Sequence, residues 1–214
     1  MIRAYDKVYL DKARTALGRM LDFATYDLGY DTGEFFDLFI TSGIAKRFER
    51  GDFAVIVGMS GVELAYLVLE QTNHQVERGR PRYTMNRSEE YWAGWALAYY
   101  QWETALSFQD IVAHIPIDHI LKLYSPYHEM DIRHFCDKMN ELYDIANPPT
   151  KLKMHRKEAG LSQGELAEMS GVPVRTIQQY EQRQKNINKA KVECLVMLAQ
   201  ALCCDISALL EKAE

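Results

Sequence analysis

The 214-residue chain lacks the features that mark membrane and secreted proteins. It contains no run of about 18 apolar residues, so we expect no membrane-spanning helix. The first 20 residues mix charges with apolar side chains and lack the layout of a secretory signal peptide. The four cysteines form no C-x-x-C pair, and the adjacent Cys203 and Cys204 are poorly placed to bond each other. A reduced cytoplasmic location fits these absences best.

Motifs of catalytic chemistry are also missing. The chain has no glycine-rich phosphate loop and no nucleophile elbow. Among its six histidines, His128 and His134 lack the i, i+4 spacing of a zinc helix. His114 and His119 lie on different sides of Pro116. We therefore predict no enzymatic activity, no metal site and no cofactor.

Charge is distributed unevenly along the chain. Residues 1–149 carry 15 Lys or Arg and 22 Asp or Glu, a net charge of −7. Residues 150–214 carry 10 and 8, a net charge of +2, and the segment 151–191 has 9 basic residues against 4 acidic ones. The C-terminal segment is therefore expected to present a positive surface of the kind that meets phosphates.

Apolar residues recur at spacings of three and four almost everywhere, and no alternating pattern is convincing as a strand. This periodicity predicts an all-α protein whose first helix covers Tyr5–Leu28 and ends at Gly29. Further helices are expected to begin at Asp31, Ser60, Ser88 and Ser107. For the segment Gly51–Gly58, a short strand, an apolar loop and a helix turn all stay open.

An aromatic stripe follows Ser88. Trp92, Trp95, Tyr99 and Trp102 recur at spacings of three and four residues. Such a stripe is more typical of a protein core, but its density keeps a small-ligand or partner pocket as the alternative. The polar segment 74–87, which carries four arginines, is interpreted either as a solvated loop or as a phosphate-contacting arm.

The run Asn147-Pro148-Pro149-Thr150 is the clearest boundary in the chain, because two prolines stop a helix and stiffen a short linker. We predict an acidic helical domain over residues 1–147, a linker over 148–150 and a second domain over 151–214. The acidic domain is expected to bind a partner, sense a ligand or dimerise.

The second domain contains the most informative pattern. A short predicted helix begins at Leu161 and Ser162, with an inner face formed by Leu166, Ala167 and Met169. A tight turn follows at Gly171 and Val172. Pro173 begins the next helix, whose inner residues are Val174 or Ile177 and Tyr180. Two short helices joined by a glycine-containing turn form a helix-turn-helix, whose second helix enters the DNA major groove.

Residues 151–211 resemble the Xre/Cro-repressor family of helix-turn-helix regulators. The resemblance rests on residues in register at Leu152, Arg156, Ala159, Gly160, Leu161, Ser162, Gln163, Leu166, Ala167, Gly171, Val172, Thr176, Ile177, Tyr180, Glu181, Leu198, Ala199, Ala201, Leu202 and Leu209. It implies a five-helix domain that binds a palindromic double-stranded DNA operator, usually as a homodimer.

The resemblance gives roles to residues of the second helix of the motif, the recognition helix, which begins at Pro173. Arg175, Gln178 and Gln179 are expected to read bases, because Arg favours guanine and Gln favours adenine in the major groove. Plain solvent exposure is the alternative for the two glutamines. Val174 is expected to touch a thymine methyl group if it faces outward. Glu181 is expected to have a structural role, pairing with a basic residue of the first helix of the domain such as Arg156.

Phosphate contacts are expected on both sides of the recognition helix. Gln163, near the start of the first motif helix, is expected to grip a phosphate. Arg183, Lys185 and Asn186 follow the recognition helix and are expected to meet phosphates as well.

Two departures from the family pattern concern helix exits. The family usually has Gly after the recognition helix and Pro a few residues later, where this chain has Arg183 and Ile187. It usually has Gly after the fourth helix, where this chain has Cys203. Because a non-glycine residue adopts φ > 0 only at a cost, the exit near Arg183 is expected to differ in shape. Cys204 occupies a core position of the family, which leaves Cys203 as the expected exposed thiol.

These features predict a cytoplasmic, sequence-specific transcriptional regulator, and in particular a repressor. One hypothesis is an antitoxin that represses its own operon and binds a toxin through its acidic domain. The alternative is a repressor that responds to a small molecule bound against the aromatic stripe. A third hypothesis, an enzyme with a DNA-binding tail, lacks a catalytic constellation in the sequence. No membrane partner is expected.

Overall fold

The computed structural model describes residues 3–74, 77–82 and 86–211. Within these ranges every regular element is a helix and no strand is present, which confirms the predicted all-α fold. No helix in them is long and apolar enough to cross a membrane. The chain divides into two compact units, Met1–Ala146 (unit 1) and Asn147–Glu214 (unit 2).

Unit 1 contains ten α-helices in its described residues. In chain order they are α1 (Leu10–Tyr26), α2 (Thr32–Thr41), α3 (Ile44–Glu49), α4 (Phe53–Ile56), α5 (Gly61–Gln71), α6 (Glu89–Thr104), α7 (Phe108–His114), α8 (Ile117–Leu121), α9 (Tyr124–Tyr127) and α10 (Ile132–Ala146). A 3-10 turn, Lys7–Tyr9, precedes α1, so the long helix begins later than the predicted Tyr5. Gly29 follows α1 in the left-handed conformation, with φ of 75°.

Side-chain caps begin several helices where the sequence predicts them. Asp31 Oδ1 accepts a hydrogen bond from the N–H of Glu34 at 3.1 Å. Ser88 Oγ accepts one from the N–H three residues later at 3.0 Å, and Ser60 and Glu63 form a complete capping box. Each cap satisfies an amide of the first turn that has no partner within the helix. The starts of α2, α5 and α6 therefore follow from the local sequence.

Helix α1 lies at the centre of unit 1 and packs most extensively on α6 and α5. Glycines permit the close approach of these helices. A Cβ added to Gly94 would lie 2.7 Å from the carbonyl oxygen of Leu17, and one added to Gly61 would lie 2.5 Å from that of Ala16. Both distances are shorter than a van der Waals contact, so the helix axes would have to separate to admit a larger residue.

Four phenylalanines form a cluster between α2, α3 and α7. Phe36, Phe39, Phe48 and Phe108 are each no more than 1% exposed. Their neighbouring ring centroids lie 5.5–6.1 Å apart in tilted or edge-on arrangements. This geometry aligns the positive edge of one ring with the negative face of the next. The cluster joins segments that are far apart in the sequence.

The aromatic stripe of α6 is mainly a core element. Trp92 and Trp102 are buried, whereas Trp95 and Tyr99 are half-buried. The guanidinium carbon of Arg14 lies 3.2 Å from the ring centroid of Trp95 and 4.9 Å from that of Tyr99. Burial lowers the pKa of Arg14, because desolvation disfavours its charged form. The stripe thus packs α6 against α1, as the core interpretation predicts.

The structure describes one segment that the sequence left open, Gly51–Gly58, and part of another, 74–87, whose contact with phosphate stays a prediction. Gly51–Gly58 contains the short helix α4, which Asp52 begins by accepting the N–H of Ala54 at 3.0 Å; the strand alternative is therefore wrong. In the described part of 74–87, Arg78 pairs with Glu70 at 2.6 Å. The backbone N–H of Arg82 donates to Asp27 at 2.6 Å. This part of the segment is therefore hydrogen-bonded to helix α5 and to the end of α1.

Unit 2 contains five α-helices in its described residues, the number that the family resemblance implies. They are α11 (Lys151–Glu158), α12 (Gln163–Ser170), α13 (Val174–Glu181), α14 (Val192–Ala201) and α15 (Ile206–Leu209). Every helix contributes to one apolar core, which includes the fully buried Leu152, Leu166, Ile177, Leu198 and Leu209. The core fixes the angle between α12 and α13.

Candidate nucleic-acid interface

Helices α12 and α13 form a helix-turn-helix because each boundary has a local cause. Ser162 and Glu165 form a capping box at the start of α12. Gly171 ends α12 in the left-handed conformation, with φ of 69°. Val172 then enters the core, 4% exposed, and Pro173 precedes α13 with a φ suited to a helix start. The turn therefore holds α13 at a fixed angle to α12.

One predicted core position is wrong. Met169 was expected on the inner face of α12, but its side chain is 59% exposed. The next residue, Ser170, is buried instead, and its Oγ donates to the carbonyl oxygen of Leu166 at 2.6 Å. The helical spacing from Leu166 points inward at Ser170 rather than at Met169, so a polar residue takes the place that hydrophobicity alone assigned to methionine.

A buried ion pair ties α13 to α11. Nε of Arg156 donates to Glu181 Oε1 at 2.6 Å, and Nη2 donates to Oε2 at 2.8 Å. The remaining guanidinium nitrogen, Nη1, donates to the carbonyl oxygen of Leu161 at 2.7 Å. The carboxylate raises the pKa of Arg156. This two-pronged contact confirms the structural role predicted for Glu181.

Gln163 belongs to the same network. It is the first residue of α12, and its side-chain amide donates to Glu181 Oε2 at 2.7 Å. Its side chain therefore positions the start of α12 against the end of α13. A phosphate contact through the backbone N–H groups of this first turn stays a prediction.

The outward face of α13 carries the predicted base-reading residues. Val174 is 42% exposed, Arg175 is exposed, and Gln178 and Gln179 are half-buried. Positions i, i+1, i+4 and i+5 lie on one side of a helix, and Ile177, Tyr180 and Glu181 occupy the buried side. In the part of the chain that the structure describes, the side chains of Arg175, Gln178 and Gln179 form no hydrogen bond or ion pair. Their polar groups are therefore available to a base edge.

Arg183 adopts the left-handed conformation directly after α13, with φ of 56°. Its backbone thus takes the left-handed conformation that glycine favours, and the expected difference in the shape of this exit stays a prediction. Its guanidinium donates to Asn147 Oδ1 at 2.7 Å and to the carbonyl oxygen of Pro148 at 2.6 Å. The side chain predicted to meet phosphate is therefore engaged with residues 147 and 148 of the same unit.

Lys185 and Asn186 lie at the exit from the recognition helix, and both are exposed. The backbone N–H of Lys185 donates to the carbonyl oxygen of Gln179 at 3.0 Å. The side chain of Asn186 accepts the N–H of Asn188 at 2.9 Å and begins the 3-10 turn Ile187–Lys189. The backbone is thus well held, while the Lys185 ammonium projects from the surface. Contacts of these residues with phosphates stay predictions.

Cys203, the second departure from the family pattern, also adopts a left-handed φ, of 50°. The cysteine is exposed, and the adjacent Cys204 is partly buried.

A left-handed non-glycine residue costs about 1–2 kcal/mol, and glycine loses about 0.5–1 kcal/mol more backbone entropy on folding. We therefore expect Cys203→Gly to stabilise unit 2 by about 0.5–1 kcal/mol, seen as a higher Tm. Cys203→Ala is the control and should give no gain; an unchanged or lower Tm for Cys203→Gly would contradict the strain argument.

Comparisons with known proteins agree with this geometry. Residues 152–194 match the family described as Helix-turn-helix, which spans α12, α13 and the flanking segments. No curated protein matches the chain. No solved structure matches it either. The chain therefore carries a helix-turn-helix domain of the Xre/Cro type at residues 152–194, which supports its assignment as a DNA-binding transcriptional regulator.

Proposed function

We propose that the protein is a repressor that binds a palindromic operator as a homodimer and reads it with α13. The observation that carries this proposal is the outward face of α13, where Arg175, Gln178 and Gln179 have no partner among the described side chains. Donor and acceptor groups held in this way on a rigid helix are suited to base edges. Binding of a dimer to two half-sites follows the geometry of this class of motif.

The positive charges that follow α13 also support DNA binding on this side of unit 2. Lys185, Lys189 and Lys191 are exposed and follow α13. Lysines at such positions neutralise phosphates, which adds affinity without sequence preference. The excess of basic over acidic residues in 151–191 is consistent with a phosphate-facing surface.

Replacement of Arg175 by alanine tests the proposal. An operator is first selected from random duplexes with the wild-type chain. Arg175→Ala is then expected to weaken operator binding by about 1–3 kcal/mol, or roughly 5- to 150-fold, because one bidentate base contact is lost. Fluorescence anisotropy at fixed salt measures both the operator and an unrelated duplex. Binding to the unrelated duplex should change little.

Two further variants make the test specific. Arg175→Lys keeps the positive charge but loses the planar fork, so operator preference should fall while non-specific binding persists. Gln200→Ala removes an exposed glutamine of α14 and serves as the matched control. Operator affinity that is unchanged in Arg175→Ala would remove Arg175 from the reading set.

The role of unit 1 has two candidate forms. The first is a protein partner, as in an antitoxin, which is supported by the net charge of −7 over residues 1–149. Such a surface favours association with a basic partner. Co-expression with the protein encoded beside it should yield a stable complex that survives purification, and purification of the regulator alone would count against this form.

The second form is a response to a small ligand. Trp92 and Trp95 of the aromatic stripe line a cavity of about 250 Å³ in unit 1. A ligand bound there would lower or raise operator affinity in the anisotropy measurement. Operator binding that is indifferent to every ligand of the cavity would count against this form.

A further inference from the structure

The cavity lies between α6, α9 and the start of α10. Its walls are formed mainly by the aromatic rings of Tyr91, Trp92, Trp95, Tyr124, Tyr127 and His128. Two segments about 30 residues apart in the sequence, α6 and the region of α9, thus place their rings around one space. Such a concave, largely apolar surface is typical of a small-molecule site.

The walls are held rigidly. Trp92 meets Tyr124 edge-on, with ring centroids 5.6 Å apart, and it meets Phe135 in the same way at 5.3 Å. Tyr124 and His128 stack at 4.1 Å with an angle of 11° between their planes. His128 Nδ1 donates to the carbonyl oxygen of Tyr124 at 2.9 Å, which fixes the imidazole. A ligand would therefore find these rings already placed, with little ordering cost.

The charge in the cavity has one sign. Arg87 lines it and is exposed, with its guanidinium carbon 4.5 Å from the ring centroid of Tyr91. Among the residues that the structure describes, no carboxylate or carbonyl group is bonded to Arg87, and no Asp or Glu lines the cavity. Arg14 lies over Trp95, so a second guanidinium adjoins the wall. The carboxylate of Glu129 lies 3.5 Å from Nε2 of His128, the histidine of the wall. Glu129 does not line the cavity, and its side chain is 78% exposed.

This charge decides between two ligand classes that aromatic walls could hold. A quaternary ammonium ion gains from ring faces, but here it would meet a guanidinium without a compensating carboxylate. A carboxylate would instead take two parallel N–H donors from Arg87, the arrangement that arginine forms best. The volume of about 250 Å³ is close to the lower limit of roughly 300–1,000 Å³ for small-molecule sites, so it admits one ring with a short side chain.

We infer that this cavity binds a small aromatic carboxylate, with its ring against Trp92 and Tyr127 and its carboxylate on Arg87. The inference deepens the ligand-responsive form of the proposed function and rests on it for any effect on transcription. The binding itself is a property of unit 1 and is measured without DNA. Failure of operator binding and failure of ligand binding are therefore separate results.

Isothermal titration calorimetry of the full chain tests the inference with three probes of similar size. They are 3-phenylpropionate, its neutral amide 3-phenylpropanamide, and benzyltrimethylammonium. We expect the carboxylate to bind most tightly, the amide at least about tenfold more weakly, and the ammonium ion more weakly still. Equal binding of the carboxylate and the amide, tighter binding of the ammonium ion, or no binding of any probe would overturn the inference.

Variants of the lining residues test whether the probes bind in the cavity. Arg87→Gln should reduce the affinity for the carboxylate to that for the amide, while Arg80→Gln, an exposed arginine outside the lining, should leave it unchanged. Met130→Trp places a larger side chain at a lining position that is 46% exposed, and it should weaken the binding of both the carboxylate and the amide. Circular dichroism verifies that each variant is folded. Carboxylate affinity that survives Arg87→Gln would assign the anion elsewhere and overturn the site.

Discussion

Glu181→Ala is expected to destabilise unit 2 by about 3–5 kcal/mol, because it leaves the guanidinium of Arg156 buried without its counter-ion. The side chains of Glu181 and Arg156 are 2% and 10% exposed. The carboxylate accepts three hydrogen bonds, two from Arg156 and one from Gln163. Alanine removes every one of these acceptors. The penalty thus combines an unpaired charge with an unsatisfied amide.

Hydrogen–deuterium exchange read by mass spectrometry measures this loss in the full chain. Peptides from residues 152–209 should exchange faster in Glu181→Ala by the factor that corresponds to the lost stability. Glu168→Ala, which removes an exposed carboxylate from α12, is the matched control and should leave these rates within experimental error. Exchange in Glu181→Ala that matches this control would show that the ion pair adds nothing.

A double variant separates the pair from the space it fills. Arg156→Met combined with Glu181→Leu replaces two opposite charges with apolar side chains of similar volume. Such replacements are often neutral or stabilising, so the double variant should be more stable than Glu181→Ala alone. Operator binding is a second readout: if the pair sets the angle of α13, the double variant regains stability but not full operator affinity.

Local chemistry made the ends of the helices predictable. A serine followed three residues later by glutamate identifies α5 at Ser60 and α12 at Ser162, because the capping box is complete within four residues. Local geometry also explains why the prediction of a buried Met169 was wrong. Hydrophobicity favours a buried methionine, but the register of α12 gives the inner position to Ser170.

Contacts between distant segments were beyond the sequence. The cavity needs Tyr124 and His128 beside Trp92, and nothing in the spacing of either segment reports that α9 reaches α6. The guanidinium of Arg183 shows the same limit. Its position after α13 indicates a phosphate contact, whereas its bonds to Asn147 and Pro148 depend on how the chain enters unit 2.

Two helix exits carry non-glycine residues at positions where the family usually has glycine. Arg183 and Cys203 both adopt a left-handed φ without being glycine. The path of the backbone is therefore set by the core of unit 2, and the residue at each exit adapts to it at a cost of about 1–2 kcal/mol. At Arg183 two side-chain hydrogen bonds offset that cost. No hydrogen bond to the side chain of Cys203 is found in the described residues, which makes it the better site for glycine.

Phe108→Ala is expected to destabilise unit 1 by about 3–5 kcal/mol, the cost of a cavity where a fully buried ring was removed. Phe108 is 0% exposed, and its ring lies 5.5–5.8 Å from those of Phe36, Phe39 and Phe48. Alanine keeps the backbone N–H that donates to Glu49 at 2.6 Å, so the change isolates the ring.

Tryptophan fluorescence during urea denaturation reports this loss, because all three tryptophans lie in unit 1, at residues 92, 95 and 102. Phe53→Ala is the matched control, since that phenylalanine is 60% exposed and meets only Tyr9 among the described rings. Its removal should cost less than about 1 kcal/mol. The contrast between two phenylalanines of one unit separates burial from residue type. Equal midpoints for the two variants would mean that the cluster relaxes around the missing ring, and that the phenylalanine core does not hold α2, α3 and α7 together.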